Sequence, residues 1–184
     1  MLKKWLPGLA AILMGAVLLV AGNWKFPSST FSVPVVLTSG EPALITGSLP
    51  SRGWSGEPAD LTMRFQFTSP IQENQAQIRA EVVMPDAAIT PKGQISLLMD
   101  PSEPVNLRWQ ITPNRKGDLE GTLWVNSSTI GVEPQAVLAK RFQIHSMMIL
   151  GISAAWIRRI GWGLLIIGIF YVIAFSSRRS RSKI

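Results

Sequence analysis

The stretch Leu61-Thr62-Met63-Arg64-Phe65-Gln66-Phe67 decides the fold class, because apolar side chains hold every odd position and polar ones every even position. Successive side chains of a β-strand point to opposite faces, so this alternation predicts a strand with one buried face. Further runs of the same kind are found at residues 33–37, 44–49, 78–84, 94–99, 107–111, 119–125 and 141–148.

Segments rich in proline and glycine separate these runs, as turns between strands require. About seven or eight strands in a domain of about 120 residues predict an immunoglobulin-like antiparallel β-sandwich over residues 25–151. The chain has no cysteine, so the match is to the architecture and not to true immunoglobulin domains. Trp109, in the middle of an alternating run, is predicted to lie in the core.

Residues 1–24 are predicted to form an N-terminal transmembrane helix. Leu6 to Ala21 is apolar throughout, and a helix from Trp5 to Trp24 would be about 30 Å long, which matches the hydrocarbon core of a bilayer. A tryptophan at each end suits the two membrane interfaces. The alternative is a cleaved signal peptide that ends near Gly22.

Residues 152–177 are predicted to form a second transmembrane helix, followed by a basic cytoplasmic tail at 178–184. The tail carries more basic residues than the Arg158-Arg159 pair on the opposite flank, so both termini are expected in the cytoplasm and the domain outside. The residues expected to anchor the helices at the membrane interfaces are Trp5, Trp24, Trp156, Arg158, Arg159, Trp162, Arg178 and Arg179.

Small residues recur every seven positions in both apolar segments. They are Gly8, Gly15 and Gly22 in the first, and Ala154, Gly161 and Gly168 in the second. This spacing puts each set on one helical face, where another helix can approach closely. We expect the two helices to pack as an antiparallel pair, and docking of either face to another membrane protein is the alternative use.

The net charge of +7 does not indicate nucleic-acid binding, because the charges are segregated along the chain. All 11 acidic residues lie between Glu41 and Glu133, and residues 25–150 hold 10 basic residues, a net charge of −1. The other 8 basic residues flank the apolar ends. The high isoelectric point therefore indicates membrane anchoring and no basic groove.

No constellation of catalytic or metal-binding residues is found in the sequence. A Ser-His-Asp arrangement needs a histidine beside a nucleophile, and the one histidine, His145, falls on the last predicted strand. Without cysteine one histidine cannot build a zinc site, and no dense Asp/Asn run suggests calcium. We expect no cofactor, no metal and no enzymatic activity, although a Ser-Lys pair cannot be recognised from sequence alone.

These features predict a non-enzymatic accessory or scaffold subunit of a membrane complex, with a bilayer and a membrane protein as partners. The alternative is an extracytoplasmic ligand-binding or sensing module that works through a partner. The absence of disulfides favours a bacterial inner membrane. Trp54, in the predicted loop 51–58, is the best candidate for partner contact. A lid over the edge of the sandwich is its alternative role.

Overall fold

The computed structural model describes residues 5–68, 76–98, 103–129, 133–149 and 151–180. The chain divides into two compact units, Phe26–Met147 and a terminal unit formed by Met1–Lys25 with Met148–Ile184. The first unit is made of β-strands and the second of two helices.

The β unit contains two five-stranded sheets. Sheet 1 has, in spatial order, β1 (Ser28–Val36), β2 (Pro42–Pro50), β4 (Ala59–Phe67), β8 (Val105–Pro113) and β6 (Ala87–Thr90). Sheet 2 has β3 (Arg52–Trp54), β10 (Gln135–Met147), β9 (Gly117–Thr129), β5 (Ala76–Val83) and β7 (Ile95–Leu98). All neighbouring strands are antiparallel except β3 and β10, which are parallel.

One hydrophobic core joins the two sheets, as the alternation in residues 61–67 predicts. On sheet 1, Leu61, Phe65 and Trp109 are fully buried, and on sheet 2 Leu123 and Ile144 are fully buried in the same cluster. The polar even positions of β4 point away from this core. The prediction of a mainly β fold with two packed sheets is confirmed, and so is the burial of Trp109.

The strand count differs from the prediction, since the described residues alone contain ten strands in place of seven or eight. Strand β6 was not predicted because its sequence, Ala87-Ala88-Ile89-Thr90, does not alternate between apolar and polar side chains. Strand β3 lies in the predicted loop 51–58, where parallel pairing with His145–Met147 of β10 creates it. That pairing makes sheet 2 mixed, which no local pattern in three residues can reveal.

The last strand is also longer than predicted. The predicted strand at 141–148 and a segment before it merge into β10, with a register irregularity between Ala136 and Leu138. A bulge of this kind breaks the alternation without ending the strand, so the sequence pattern appears interrupted there.

The terminal unit contains α1 (Leu6–Gly22, 17 residues) and α2 (Ala154–Ser180, 27 residues). By length and composition, Ala154–Ala174 is the one helix of the described residues that is apolar and long enough to cross a membrane, and α1 is a shorter apolar helix. Helix α2 continues to Ser180, so residues 178–180 are helical; the bounds 152–177 for the transmembrane helix and 178–184 for the cytoplasmic tail stay predictions. Residues 1–4 and 181–184 lie outside the described residues.

Candidate functional site

The small residues of α1 and α2 face each other in the structure. Gly15 lies against Gly161, and seven residues away in opposite directions Gly8 lies against Gly168. Gly22 lies against Ala154 at the third level of the same contact. Because the partner number falls as the α1 number rises, the two helices run antiparallel.

The backbones of the two helices approach so closely that side chains larger than hydrogen would collide. A Cβ atom built on Gly15 would lie 2.7 Å from the carbonyl oxygen of Gly161. A Cβ atom on Gly168 would lie 2.8 Å from the carbonyl oxygen of Gly8 and 2.7 Å from Cγ1 of Ile12. Gly163 is on the same helix as Gly168, yet a Cβ atom there meets nothing within 4 Å. Glycine is therefore required at the contact and not elsewhere on α2.

The large apolar side chains of the two helices point outward. The buried residues of α1 are Gly8, Gly15 and Gly22, all of them glycine. The exposed large side chains of the two helices and their ends are Leu6, Leu9, Leu13, Met14, Val17, Val20, Trp24, Trp156, Ile160, Trp162, Ile166, Ile167, Ile169, Phe170 and Ile173. In water this arrangement would leave a continuous apolar surface uncovered. Close glycine contacts between two helices are common where helices pack in membranes.

The predicted interface residues lie at or near the ends of the helices, except Trp162, which is the ninth residue of α2. Trp24, Trp156 and Trp162 are exposed, and Trp5, at the start of α1, is half-buried. The Arg159 guanidinium lies over the Trp156 ring, 5.1 Å from its centroid. Arg178 and Arg179 belong to the last turns of α2, and their side chains lie outside the described residues.

Arg158 connects the two helices. Its Nη1 donates a hydrogen bond of 2.9 Å to the carbonyl oxygen of Gly22, the last residue of α1. The last turn of α1 has no basic residue of its own, so α2 supplies the cation that favours the negative end of a helix dipole. The sequence predicted Arg158 to anchor α2 at the membrane interface, which stays a prediction, and could not show this contact with the other helix.

Trp54 is not on an exposed loop. It is the last residue of β3, its exposure is 8%, and its ring packs on Phe26 with a centroid distance of 5.4 Å. The backbone amide of Ser55 donates a hydrogen bond to the Met147 carbonyl oxygen. This bond extends the pairing of β3 with β10 by one residue at the edge of sheet 2. The assignment of Trp54 to a loop is wrong, and its burial fits the alternative role as a cover of the sandwich edge. A contact between Trp54 and a partner protein stays a prediction.

The outer face of sheet 1, which points away from sheet 2, is polar and concave. A groove of about 830 Å³ crosses its four longest strands. The outward side chains that line the groove are Thr30, Ser32, Thr46, Ser48, Thr62, Arg64, Asn106 and Arg108. Arg108 makes a two-pronged ion pair with Asp60, at 3.0 and 2.7 Å. The hydrogen bond and charge of Asp60 raise the pKa of the Arg108 guanidinium.

The outer face of sheet 2 is different, since it exposes an aromatic residue. Trp124 on β9 is 41% exposed, and its diagonal neighbour Val83 on β5 is 43% exposed. A depression of about 650 Å³ lies beside them, with Glu120 and Arg141 among its lining residues. The alternation Leu119, Gly121, Leu123, Val125 along β9 places Trp124 on the outer face, so this signal was present in the sequence and was missed.

The one histidine of the sequence lies beside a carboxylate. His145 Nδ1 and Asp118 Oδ1 are 2.6 Å apart, and both side chains are more than half exposed. No serine or threonine hydroxyl in the described part of the chain is hydrogen-bonded to the imidazole. Among the described residues, no group of three His, Cys, Asp or Glu side chains could hold a metal ion. The arrangement is an exposed contact between an imidazole and a carboxylate on sheet 2, and no nucleophile of the described residues joins it.

Comparisons with known proteins give no family for the chain. No family model and no curated protein matches it. Among solved structures, a chain of the complex of zinc 2-glycoprotein and prolactin-inducible protein from human seminal plasma is similar at 8% identity and a TM-score of 0.42, covering 68% of this chain and 98% of that one. AggA, the major subunit of aggregative adherence fimbriae type I from Escherichia coli, has 9% identity and a TM-score of 0.39, covering 68% and 100%.

A conjugative transposon lipoprotein from Bacteroides eggerthii has 11% identity and a TM-score of 0.34, covering 64% of this chain and 98% of that chain. TM-scores below 0.5 support no functional argument. The function has to be argued from the helix pair and the two outer faces.

Proposed function

We propose that the protein is a non-enzymatic accessory or scaffold subunit of a membrane complex, held in the bilayer by α1 and α2. Its immunoglobulin-like sandwich stands on the extracytoplasmic side and both termini are cytoplasmic. The supporting observation is the arrangement of the helix pair, with glycine between the helices and large apolar side chains on the outside.

The physical argument compares two solvents. In water, burying glycine and exposing leucine, isoleucine and phenylalanine reverses the hydrophobic effect, because each exposed side chain forgoes about 1.5–3 kcal/mol of burial. In lipid the exposed side chains are already in an apolar medium, and close backbone contact provides the packing that holds helices together. The arrangement is thus stable in a bilayer and unfavourable in water.

The length of α1 is compatible with a span when its flanking residues are included. Its 17 residues give a rise of about 26 Å, a little less than a hydrocarbon core of about 30 Å. Trp24 follows the C-terminus of α1 and Trp5 precedes its N-terminus, which suits tryptophans that sit at head-group level. Retention of α1 is part of the proposal, because a cleaved signal peptide would remove the partner of α2.

Gentle extraction from the native membrane followed by native mass spectrometry tests the proposal. We expect the chain to resist alkaline carbonate washing, to retain residues 1–22 and to travel with other subunits in fixed ratio. A chain cut near Gly22 would contradict the helix pair. An intact chain that migrates without other proteins would contradict the scaffold role and favour a ligand-binding module.

The topology has its own test, because the chain has no cysteine and any introduced thiol is unique. We expect Lys92→Cys, in an exposed turn of the sandwich, to react with a membrane-impermeant maleimide in intact cells. Ser182→Cys should react only after the membrane is opened. The reverse pattern would contradict the proposed orientation.

A further inference from the structure

We infer that the outer face of sheet 2 is an interface between two copies of this chain, related by a twofold axis beside Trp124. The inference deepens the proposed function, since it names one partner of the scaffold. It depends on the proposed function in one respect, because both copies must be anchored in the same membrane.

The first observation is where the sandwich exposes large apolar residues. Among the described residues of the β unit these are Val36, Val83, Leu98 and Trp124. Val83, Leu98 and Trp124 belong to strands of sheet 2, and the register places them on its outer face. The outer face of sheet 1 presents mainly hydroxyl groups in the equivalent central positions. An exposed tryptophan beside a branched aliphatic residue is typical of the centre of a protein interface.

The second observation identifies the occupant. Glu120 pairs in register with Gln143, and Arg141 pairs with Thr122, so Glu120 and Arg141 are diagonal neighbours at about 7–8 Å. They form no ion pair or hydrogen bond with each other or with any other described residue, although both are exposed. An acid and a base that stand side by side without pairing are available to a partner.

A twofold axis satisfies both charges at once. In an isologous contact, if residue i of one copy meets residue j of the other, then j also meets i. Arg141 of each copy would therefore meet Glu120 of the other, while Trp124 and Val83 of the two copies cover each other at the centre. Glu81 stands opposite Trp124 on the same face, so the self-complementary part of the face is the patch formed by Glu120, Arg141, Val83 and Trp124.

The membrane adds to this tendency. Two chains held in one membrane meet at a much higher effective concentration than two free domains, so a modest contact area is sufficient. An unrelated partner remains the competing occupant, and the experiment separates the two.

Cysteine crosslinking of the full chain in its membrane is the first test. Thr122→Cys, which lies between Val83 and Arg141 in register, is expected to give a disulfide-linked homodimer under mild oxidation. Thr62→Cys is the matched control, because it occupies a central outward position of sheet 1 and should remain monomeric. Equal crosslinking of both variants, or of neither, would overturn the inference.

Charge exchange is the second test, read by native mass spectrometry in mild detergent. Glu120→Arg and Arg141→Glu, made singly, each place like charges opposite each other and should weaken the dimer about tenfold or more. The double variant restores complementarity and should restore the dimer, whereas a loss that the double variant does not repair would contradict the proposed pairing. All three variants should keep carbonate resistance, since the helices are untouched. If carbonate extracts the unmutated chain from the membrane, that result contradicts the proposed function and not the dimer contact.

Discussion

The sandwich and the helix pair follow opposite burial rules within one chain. The sandwich buries Trp109, Phe65 and Ile45 completely and presents hydroxyl and charged groups outward. The helix pair buries glycine and exposes isoleucine, leucine and phenylalanine. Burial of apolar area stabilises a folded unit in water, whereas close backbone packing stabilises helix pairs in lipid. The difference supports the proposal that the two units face different solvents.

The largest expected effect tests the sandwich as a water-facing core. Trp109→Ala should destabilise the β unit by about 3–5 kcal/mol, because a fully buried indole leaves a cavity in a core shared by two sheets. Urea unfolding of the full chain in mild detergent, followed by the β signal in circular dichroism, measures it. Val36→Ala, at a side chain of sheet 1 that is 66% exposed, is the control and should change the free energy of unfolding by less than about 0.5 kcal/mol. Equal effects at Trp109 and Val36 would contradict the distinction between core and surface.

The next effect tests the helix pair as a lipid-facing unit. Ile167→Lys replaces a side chain that is 63% exposed near the middle of α2. In lipid the charge should disfavour insertion by about 2.5–3.5 kcal/mol, whereas in water the same change is harmless. The fraction of chain that resists carbonate extraction reports the result, and Ile167→Leu is the control. Unchanged membrane retention of the Ile167→Lys variant would contradict the proposal that this surface faces lipid.

A smaller effect tests the contact between the helices. Gly168→Ala puts a methyl group against backbone atoms of α1 and should lower the stability of the pair by about 1–3 kcal/mol. Gly163→Ala has open space and should be neutral or stabilising by up to about 1 kcal/mol, as alanine favours helix. Protease resistance in detergent distinguishes the two. If both substitutions behave alike, the close contact is not what holds the helices together.

The smallest effect concerns the link at the end of the pair. Arg158→Met keeps most of the aliphatic stem and removes the hydrogen bond to the Gly22 carbonyl, which should reduce helix-pair stability by about 1 kcal/mol. Arg159→Met is the control, since its guanidinium stacks on Trp156 within the same helix. Thermal melting of the helical signal compares them. A larger loss for Arg159→Met would reverse the roles given to the two arginines.

Much of the candidate site followed from sequence because it depends on periodicity. The seven-residue spacing of Gly8, Gly15 and Gly22 places them on one face whatever the rest of the chain does, and the predicted role of these glycines in helix packing remains a proposal for the Gly168 experiment. Trp54 shows where prediction from local sequence fails. Its neighbours Gly53, Ser55 and Gly56 are typical of a loop, and only pairing with β10, about ninety residues away in sequence, makes it a strand residue.

The sequence by itself determined which parts of this protein form a sheet and which form apolar helices. Alternation of period two specifies a sheet with one solvent-exposed face, and long uncharged runs flanked by basic residues specify apolar helices. Both are local patterns of side-chain polarity, so both can be read from the sequence. Only the tertiary structure decided which residues meet. The link from Arg158 to Gly22, the burial of Trp54 and the neighbouring positions of Glu120 and Arg141 all join residues far apart in the chain. Their proximity is set by the packing of whole elements, which no local pattern encodes.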